Sequence, residues 1–181
     1  AVNGLFSEHV DAPGVISALF NTLASEGINV ETARLKSNND GTAVAFLSIE
    51  SGNGKINDAI DFVKGTSDEL FHKLTYKENA KLPNYYGEGI YLLEMDGVEL
   101  NLALGEKVIL TKHNNVAGVL LILLSALSSK DINIIDLRLG KLNNVGYSAI
   151  AVDGDSNVIR NLLANLGEQY YEANLIEFYS M

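Results

Sequence analysis

Residues 9–35 read HVDAPGVISALFNTLASEGINVETARL, and residues 113–139 repeat that pattern without a gap as HNNVAGVLLILLSALSSKDINIIDLRL. Ten of the 27 aligned positions are identical. The identities include the pairs His9/His113, Gly14/Gly118, Ile28/Ile132, Asn29/Asn133 and Arg34/Arg138. After one inserted residue the alignment continues, with residues 38–43 over 143–148. The chain is therefore a duplication of one unit of about 75 residues.

Hydrophobic periodicity predicts the same elements in both repeats. In repeat 1 it predicts strands at 5–9, 28–36, 41–49 and 70–77 and helices at 15–26 and 55–64. In repeat 2 it predicts strands at 108–113, 131–139, 147–153 and 171–179 and a second helix at 156–166. We expect Asp11 to cap the first helix, Pro13 to lie in its first turn and Gly27 to end it.

The order βαββαβ predicts an α+β fold made of two ferredoxin-like domains. In each, two helices cover one face of a four-stranded antiparallel sheet and leave the other face for a partner. We expect domain 1 at residues 1–78, a linker and β-hairpin at 79–104, and domain 2 at 105–181. The linker, 79–89, contains Pro83, Gly87 and Gly89. The hairpin, 90–104, has Asp96-Gly97 at its tip, which is a strong hairpin signal.

The composition restricts the possible functions. The chain has 23 acidic and 13 basic residues, a net charge of −10 and no cysteine. An acidic protein is unsuited to nucleic acid, and without cysteine there is neither a disulfide nor a thiolate nucleophile. The longest apolar run, 116–127, is too short to cross a membrane. Nothing resembles a secretory signal, so we expect a cytoplasmic protein. A start without Met suits a whole protein or a fragment of a larger enzyme.

The first helices of the two repeats differ on what the pattern indicates is their outer side. Repeat 1 has Ser17, Ala18 and Asn21 there, and repeat 2 has Leu121, Ile122 and Ser125. Burying a large apolar side chain stabilises by roughly 1.5–3 kcal/mol. We therefore predict that Leu121 and Ile122 face a protein surface, either repeat 1 or another subunit.

Both repeats resemble the ACT domain, a regulatory module that senses amino acids. The resemblance rests on the motif His-x-Asn/Asp-x-x-Gly-Val after the first strand and on Ile-Asn-Ile/Val at the second strand. It covers about 150 residues, or both copies of the repeat. Repeat 2, from 105 through 146–150 to the last strand, is similar to the carboxy-terminal regulatory domain of D-3-phosphoglycerate dehydrogenases. The preceding Met-Asp-Gly hairpin resembles the lead-in of their longer forms.

The resemblance implies a serine site between two regulatory domains. Its residues are the His and Asn of one loop and the Asn that opens the second strand of the neighbouring domain. In this chain the matching positions are His113, Asn115 and Asn133 in repeat 2 and His9, Asp11 and Asn29 in repeat 1. Asp11 replaces the Asn in repeat 1, and Ala117 replaces the usual proline in repeat 2. We therefore expect the two sites to be non-equivalent.

The chemistry of these residues suits a small zwitterion. A helix N-terminus attracts a carboxylate, and Gly14 and Gly118 let the backbone approach a ligand. Side-chain amides can bond a polar side chain or an ammonium group. The candidate effector-binding set is completed by three neighbouring apolar residues, Val15, Val119 and Ile134. The set contains no activated nucleophile, and the chain lacks the glycine-rich motifs for nucleotides, so we expect no catalysis, cofactor or metal.

These observations favour a regulatory module that binds a small amino acid, preferably serine. It would control an enzyme of amino-acid metabolism such as phosphoglycerate dehydrogenase. We expect a homo-oligomer, preferably a dimer, or association with a catalytic domain. Two alternatives stay open: an interaction module that only holds subunits together, and a free-standing ferredoxin-like enzyme acting on a small acid. The sequence also leaves open which amino acid binds and whether both repeats bind it.

Overall fold

The computed structural model describes residues 2–38, 40–49, 55–80, 90–91, 94–100, 102–103 and 107–177. Repeat 1 contains β1 (Val2–Val10), α1 (Val15–Ser25), β2 (Val30–Ser37), β3 (Thr42–Ile49), α2 (Lys55–Thr66) and β4 (Phe71–Ala80). Between the repeats lie β5 (Ile90–Tyr91), β6 (Glu94–Met95), β7 (Val98–Glu99) and β8 (Leu102–Ala103). Repeat 2 contains β9 (Lys107–Asn114), α3 (Val119–Ser129), β10 (Asn133–Leu142), β11 (Val145–Asp153), α4 (Ser156–Leu163) and β12 (Tyr170–Glu177). The predicted α+β fold of two ferredoxin-like βαββαβ domains is confirmed.

The two repeats share one antiparallel sheet of eight strands, in the order β12-β9-β11-β10-β2-β3-β1-β4. The sequence predicts two four-stranded sheets, and the structure joins them along β2 and β10. In that pairing Leu35 lies opposite Leu137, and Arg34 lies opposite Arg138. We call the boundary between the repeats, formed by β2, β10, α1 and α3, the seam.

The main hydrophobic core lies between the sheet and the helices and is continuous across the seam. Alternate strand residues such as Leu5 and Ile109 point to it, and Leu19 and Leu123 meet them from α1 and α3. Each of these side chains is almost completely buried. Residues from all four helices belong to this one cluster. Burial of apolar surface therefore stabilises the packing between the two repeats as well as the fold of each repeat.

Glycines open the first helix of each repeat, which corrects the predicted cap. Gly14 and Gly118 occupy the N-cap positions with φ of +87° and +90°, and no side chain caps either helix. Asp11 bonds elsewhere, as described below, and Pro13 precedes the helix. Glycine is used here because other residues rarely adopt this left-handed conformation. At the other end of α1, Gly27 has φ +70° and Ile28 N donates to Leu23 O at 2.9 Å, the predicted C-terminal signal.

We expect Gly118→Ala to lower the free energy of unfolding by about 1–2 kcal/mol. A Cβ built there would meet only Ala24 Cβ, at 3.8 Å, so the cost comes from the backbone conformation. The matched control is Gly65→Ala in α2, where φ is not positive and a Cβ meets nothing within 4 Å. This control should gain roughly 0.5–1 kcal/mol. Urea denaturation measures both; equal changes in the two variants would contradict the backbone explanation.

Strand pairing corrects the sequence alignment of the β2–β3 and β10–β11 turns. Ala43 lies opposite His9, and Gly146 lies opposite His113. Ala43 therefore corresponds to Gly146, whereas the alignment by residue type placed Gly41 there. The longer turn belongs to repeat 1, because β2 ends at Ser37 and β3 begins at Thr42, whereas only two residues separate β10 from β11. The two turns contain similar residues at shifted positions, and aligning them by residue type therefore matched Gly41 with Gly146 wrongly.

Packing of α1 against α3 also corrects the predicted outer side of α1. Ser17 is only 8% exposed, because this side of α1 faces α3 and not solvent. Leu121 is partly buried near Phe20 of α1, so it faces repeat 1 as predicted. Ile122 is 41% exposed in the single chain, and its burial against another subunit stays a prediction.

The predicted hairpin is present between the repeats. Strand β6 pairs with β7 and β5 with β8, and Asp96 and Gly97 at the tip have φ of +51° and +84°. The hairpin packs on the sheet face of repeat 2 that lies away from the helices, through Val98 and Leu100. Asp96 Oδ2 accepts hydrogen bonds from Lys112 Nζ and Tyr147 Oη, both at 2.9 Å.

Some predicted features lie outside the described residues. These are the linker positions 81–89, positions 92–93, 101 and 104 of the hairpin, residue 39 of the first turn, and residues 178–179 of the last predicted strand. No helix in the described part of the chain is long and apolar enough to cross a membrane.

Candidate functional site

The seam brings predicted site residues together in two reciprocal contacts. Asn133 Nδ2, at the start of β10, donates to Oδ1 of Asp11 in the loop before α1, at 3.1 Å. Asn29 Nδ2, just before β2, donates to Oδ1 of Asn115 in the loop before α3, at 3.2 Å. Each contact joins the loop of one repeat to the second strand region of the other. All four side chains are partly buried.

A cavity of about 20 Å³, here called the Asn133 cavity, lies beside the first contact. Its polar lining comes from both repeats: His9, Asp11, Ser17, Ser128 and Asn133. The backbone of Gly14 and the apolar side chains of Leu124 and Ile134 also line it. A volume of this size holds about one water molecule. A free amino acid needs several times that room, so the cavity must enlarge to admit one.

The second cavity, here called the Asn29 cavity, is equally small but chemically different. It also measures about 20 Å³ and lies beside Asn29, Val30 and Gly118. Leu121 lines it at the position that corresponds to Ser17, and Ala24 lines it at the position that corresponds to Ser128. Two hydroxyl groups of the Asn133 cavity are thus replaced by apolar groups. The Asn29 cavity therefore offers fewer partners to a zwitterion.

Ser17 distinguishes the Asn133 cavity further. Its Oγ is buried and has no hydrogen-bond partner, and among the described residues it is the one buried side-chain polar atom in that condition. Leaving such a group unpaired costs about 1–3 kcal/mol. A ligand that bonded to this hydroxyl would remove the cost.

Both candidate histidines are buried and neutral at pH 7, and their rings have equivalent neighbours: the His9 ring lies 5.6 Å from that of Phe71, as the His113 ring lies beside that of Tyr170. Each is 2% exposed. Burial lowers the pKa of His9 from 6.5 to about 4, with Asp11 opposing and His72 adding to the shift. Burial alone lowers the pKa of His113 from 6.5 to about 4. His9 lines the Asn133 cavity, and its Nδ1 lies 2.9 Å from Ser7 Oγ.

His113 packs inside repeat 2 and lines neither cavity. Its ring lies 5.2 Å from that of Tyr170, and its Nδ1 lies 3.1 Å from Thr111 Oγ1. A Cβ at Gly146 would lie only 2.5 Å from His113 Nε2, so the glycine provides space for the ring. The hydroxyl of Tyr170 donates to the carbonyl of Val119 at 2.8 Å and fixes the start of α3. Burial raises the pKa of Tyr170, which keeps this donor protonated.

The remaining candidates divide between the cavities and the core. Gly14 and Ile134 line the Asn133 cavity, and Gly118 lines the Asn29 cavity. Val15 and Val119 are buried and line neither. The sequence analysis missed Ser17 and Ser128 as cavity residues. Their only signal is that each is a small polar residue on a largely apolar helix, which acquires meaning once α1 and α3 are known to pack together.

Within the described residues, no group of three His, Asp or Glu side chains is placed to hold a metal ion. The arrangement at the seam offers hydrogen bonds, one carboxylate and two helix N-termini. These groups are suited to the charged ends of a small polar molecule: the carboxylate to a positive end, and a helix N-terminus to a negative end.

Comparison with solved structures supports the fold of two ferredoxin-like βαββαβ units. Aspartate kinase from Synechocystis is similar over 93% of this chain, with a TM-score of 0.54 and 16% identity. The chain spans about a quarter, 26%, of that kinase. The small subunit of acetolactate synthase from Thermotoga maritima has a TM-score of 0.35 at 15% identity, and the alignment covers 100% of this chain and 99% of that one. No protein-family model and no curated protein sequence matches the chain.

Proposed function

We propose that the chain is an amino-acid-binding regulatory module whose effector occupies an enlarged Asn133 cavity. The observation that carries this proposal is the meeting of Asp11, Ser17 and Asn133 at the seam, with the hydroxyl of Ser17 unpaired. The carboxylate of Asp11 suits an ammonium group. The N-terminus of α1, where Gly14 has no Cβ, suits a carboxylate.

Serine is the effector that we favour. Repeat 2 resembles the serine-binding regulatory domain of phosphoglycerate dehydrogenases, and Ser17 and Asn133 can exchange hydrogen bonds with a small hydroxyl side chain. The controlled enzyme is then one of amino-acid biosynthesis, with phosphoglycerate dehydrogenase as the leading candidate. It is a separate catalytic domain or partner, and we propose a dimer as the functional assembly.

Enlargement of the cavity provides the regulatory link. An amino acid enters only if the bond between Asn133 Nδ2 and Asp11 Oδ1 opens and α1 shifts from α3. A ligand that binds the open arrangement better than the closed one increases the open population. Couplings of this kind are typically about 1–3 kcal/mol. The effector thereby changes the relative position of the two repeats, which an attached enzyme can sense.

We expect serine to raise the melting temperature by roughly 5–10 °C at about 100-fold excess over its Kd. Differential scanning fluorimetry with each of the twenty amino acids tests this. Asn133→Ala should remove the shift because it deletes the carboxamide proposed to bond the hydroxyl of serine. The matched control is Asn115→Ala, which deletes the corresponding carboxamide contact at the other side of the seam and should retain the shift.

Two results would contradict the proposal. If none of the twenty amino acids changes the melting temperature, the alternative of an interaction module is favoured. If Asn115→Ala removes the shift and Asn133→Ala retains it, the effector lies in the Asn29 cavity and the proposed location is wrong.

A further inference from the structure

The two repeats differ on the sheet face that lies away from the helices. In repeat 2 the hairpin covers this face, and Leu100 of the hairpin is buried against Tyr147, Ala149 and Ala151. In repeat 1 the same face contains a cavity of about 270 Å³, here called the open-face pocket. Its volume is more than ten times that of the Asn133 cavity or the Asn29 cavity. It approaches the lower limit of ordinary ligand sites.

Strand pairing identifies equivalent positions on the two faces. The middle strand residue of repeat 1 is Phe6, and the corresponding residue of repeat 2 is Leu110. The equivalent pairs are Phe6/Leu110, Phe46/Ala149 and Thr75/Asn174. The face of repeat 1 therefore has two aromatic rings where repeat 2 has aliphatic side chains beneath its hairpin.

The hairpin shows what kind of group this face accepts in repeat 2. The side chains that it packs there include Val98 and Leu100, which are uncharged and apolar. A copy of the hairpin would not fit on repeat 1 in the same position. Gly140 lies under it, where a Cβ would lie 2.7 Å from Val98 Cγ1, and the equivalent residue of repeat 1 is Lys36. A small molecule avoids this obstacle because it needs no backbone at that position.

The basic side chains of the open-face pocket give no preference for an anion, because each of them already has a partner. Arg138 pairs with the buried Asp136, and Lys73 Nζ lies 3.8 Å from a glutamate carboxylate of β1. Arg34 and Lys36 also take part in interactions. Such side chains still offer a ligand their aliphatic stems and planar guanidinium faces, which pack on apolar groups and aromatic rings.

Two phenylalanines give the pocket an aromatic lining. The ring centroids of Phe6 and Phe46 are 4.6 Å apart, and the ring planes are inclined by 60°. Phe46 is buried and Phe6 is partly exposed, so Phe6 presents the more accessible ring. Val44 and Thr75 line the pocket beside them. Aromatic side chains pack favourably against a further ring at centroid distances of about 4.5–7 Å.

We propose that the open-face pocket binds a small uncharged molecule with a planar ring, which packs on Phe6 and buries the apolar lining. The affinity comes from the burial of apolar surface and from ring packing, not from charge. The pocket lies on the opposite side of the sheet from the Asn133 cavity, because Phe6 points away from the helices whereas Leu5 points to the core beneath them. The site is therefore distinct from the proposed effector site.

Indole is a suitable probe because it is neutral, planar and small. We expect saturable binding by isothermal titration calorimetry with a Kd of about 1 mM or tighter. Thr75→Trp should weaken binding at least about tenfold, because a large ring at this exposed position beside Phe6 occupies the pocket. The matched control is Asn174→Trp at the equivalent exposed position of repeat 2, which should leave the Kd unchanged.

A charged analogue tests the chemical class of the ligand. Indole-3-carboxylate adds a negative charge to the same ring system, and we expect it to bind no more tightly than indole at neutral pH. Tighter binding of the carboxylate would show that the basic side chains determine recognition, and it would overturn the proposal of an uncharged ligand.

Further measurements keep the test decisive if a variant folds poorly. In the unaltered chain, amide NMR shifts on addition of indole should concentrate at Phe6, Val44 and Thr75. Absence of saturable binding, or shifts confined to the lining of the Asn133 cavity, would each overturn the proposal. If Thr75→Trp instead changes the oligomeric state, this face is an interface between copies of the chain and the proposal is wrong.

Two variants separate this site from the proposed effector site. Asn133→Ala should retain indole binding, and Thr75→Trp should retain the increase in melting temperature that serine is expected to produce. Loss of indole binding in Asn133→Ala would place the probe at the seam and contradict a separate pocket. Failure of every amino acid to change the melting temperature would leave the indole result unaffected.

Discussion

Replacement of Arg138 by methionine is expected to lower the free energy of unfolding by about 3–5 kcal/mol. Arg138 Nη1 lies 2.5 Å from Asp136 Oδ1, and the side chain of Asp136 is completely buried. Removal of the guanidinium takes a close charged partner away from a completely buried carboxylate, which retains the bond from Leu137 N. Arg138 Nη1 also donates to the carbonyl of Leu35 in repeat 1, at 3.5 Å, so the variant loses a contact across the seam.

Urea denaturation of the Asp136→Leu and Arg138→Met double variant provides the control. Replacement of a buried ion pair by apolar groups is often nearly neutral, so the double variant should recover most of the lost stability. An equally large loss in the double variant would show that packing, and not the loss of charge compensation for Asp136, determines the effect.

Stability should fall steeply as pH is lowered from 6.5 to 4. The pKa of His9 and the pKa of His113 are both lowered from 6.5 to about 4 in the folded chain. The unfolded chain therefore takes up these two protons first, and stability rises with pH throughout this window. Each imidazole contributes roughly 3 kcal/mol that is fully present above pH 6.5 and lost as pH falls through 4.

The slope of unfolding free energy against pH identifies the groups responsible. Between pH 6.5 and 5 it should correspond to an uptake of about two protons on unfolding, and to about one in His113→Gln. His72→Gln is the comparison: the side chain of His72 is exposed and only adds to the shift of His9, so this variant should change the slope much less than His113→Gln. A slope that is unchanged in His113→Gln would mean that its ring is not the group that resists protonation. Urea denaturation at several pH values measures all three proteins.

The order of secondary structure could be predicted from the sequence because each helix and strand occurs in two copies, whose hydrophobic patterns can be compared. Apolar residues that recur in both copies, such as Leu19/Leu123 and Leu23/Leu127, indicate the buried face of a helix twice. The merging of the two sheets could not be predicted in this way. Pairing of β2 with β10 depends on which sheet edges meet, and the alternation of side chains within each strand is the same whether its edge is free or paired.

The sequence could suggest which residues line the candidate site, but it could not predict which side chains contact each other there. Asp11 is a favoured capping residue, yet the chain reaches α1 through a left-handed glycine, and the carboxylate meets Asn133 instead. Ser17 is a small polar residue on an amphipathic helix, a pattern that usually indicates solvent exposure. Only the packing of α3 on that side places its hydroxyl in a cavity.

The covalent joining of the two repeats has a consequence for how the cavities could diverge. Two identical single-repeat chains that paired through the same strands would form a twofold-symmetric homodimer, and symmetry would make its two interface cavities identical. Any substitution would then alter both at once. In the tandem arrangement Ser17 and Leu121 occupy equivalent positions but mutate separately. Gene duplication with fusion thus permits one polar cavity to specialise while its counterpart becomes structural.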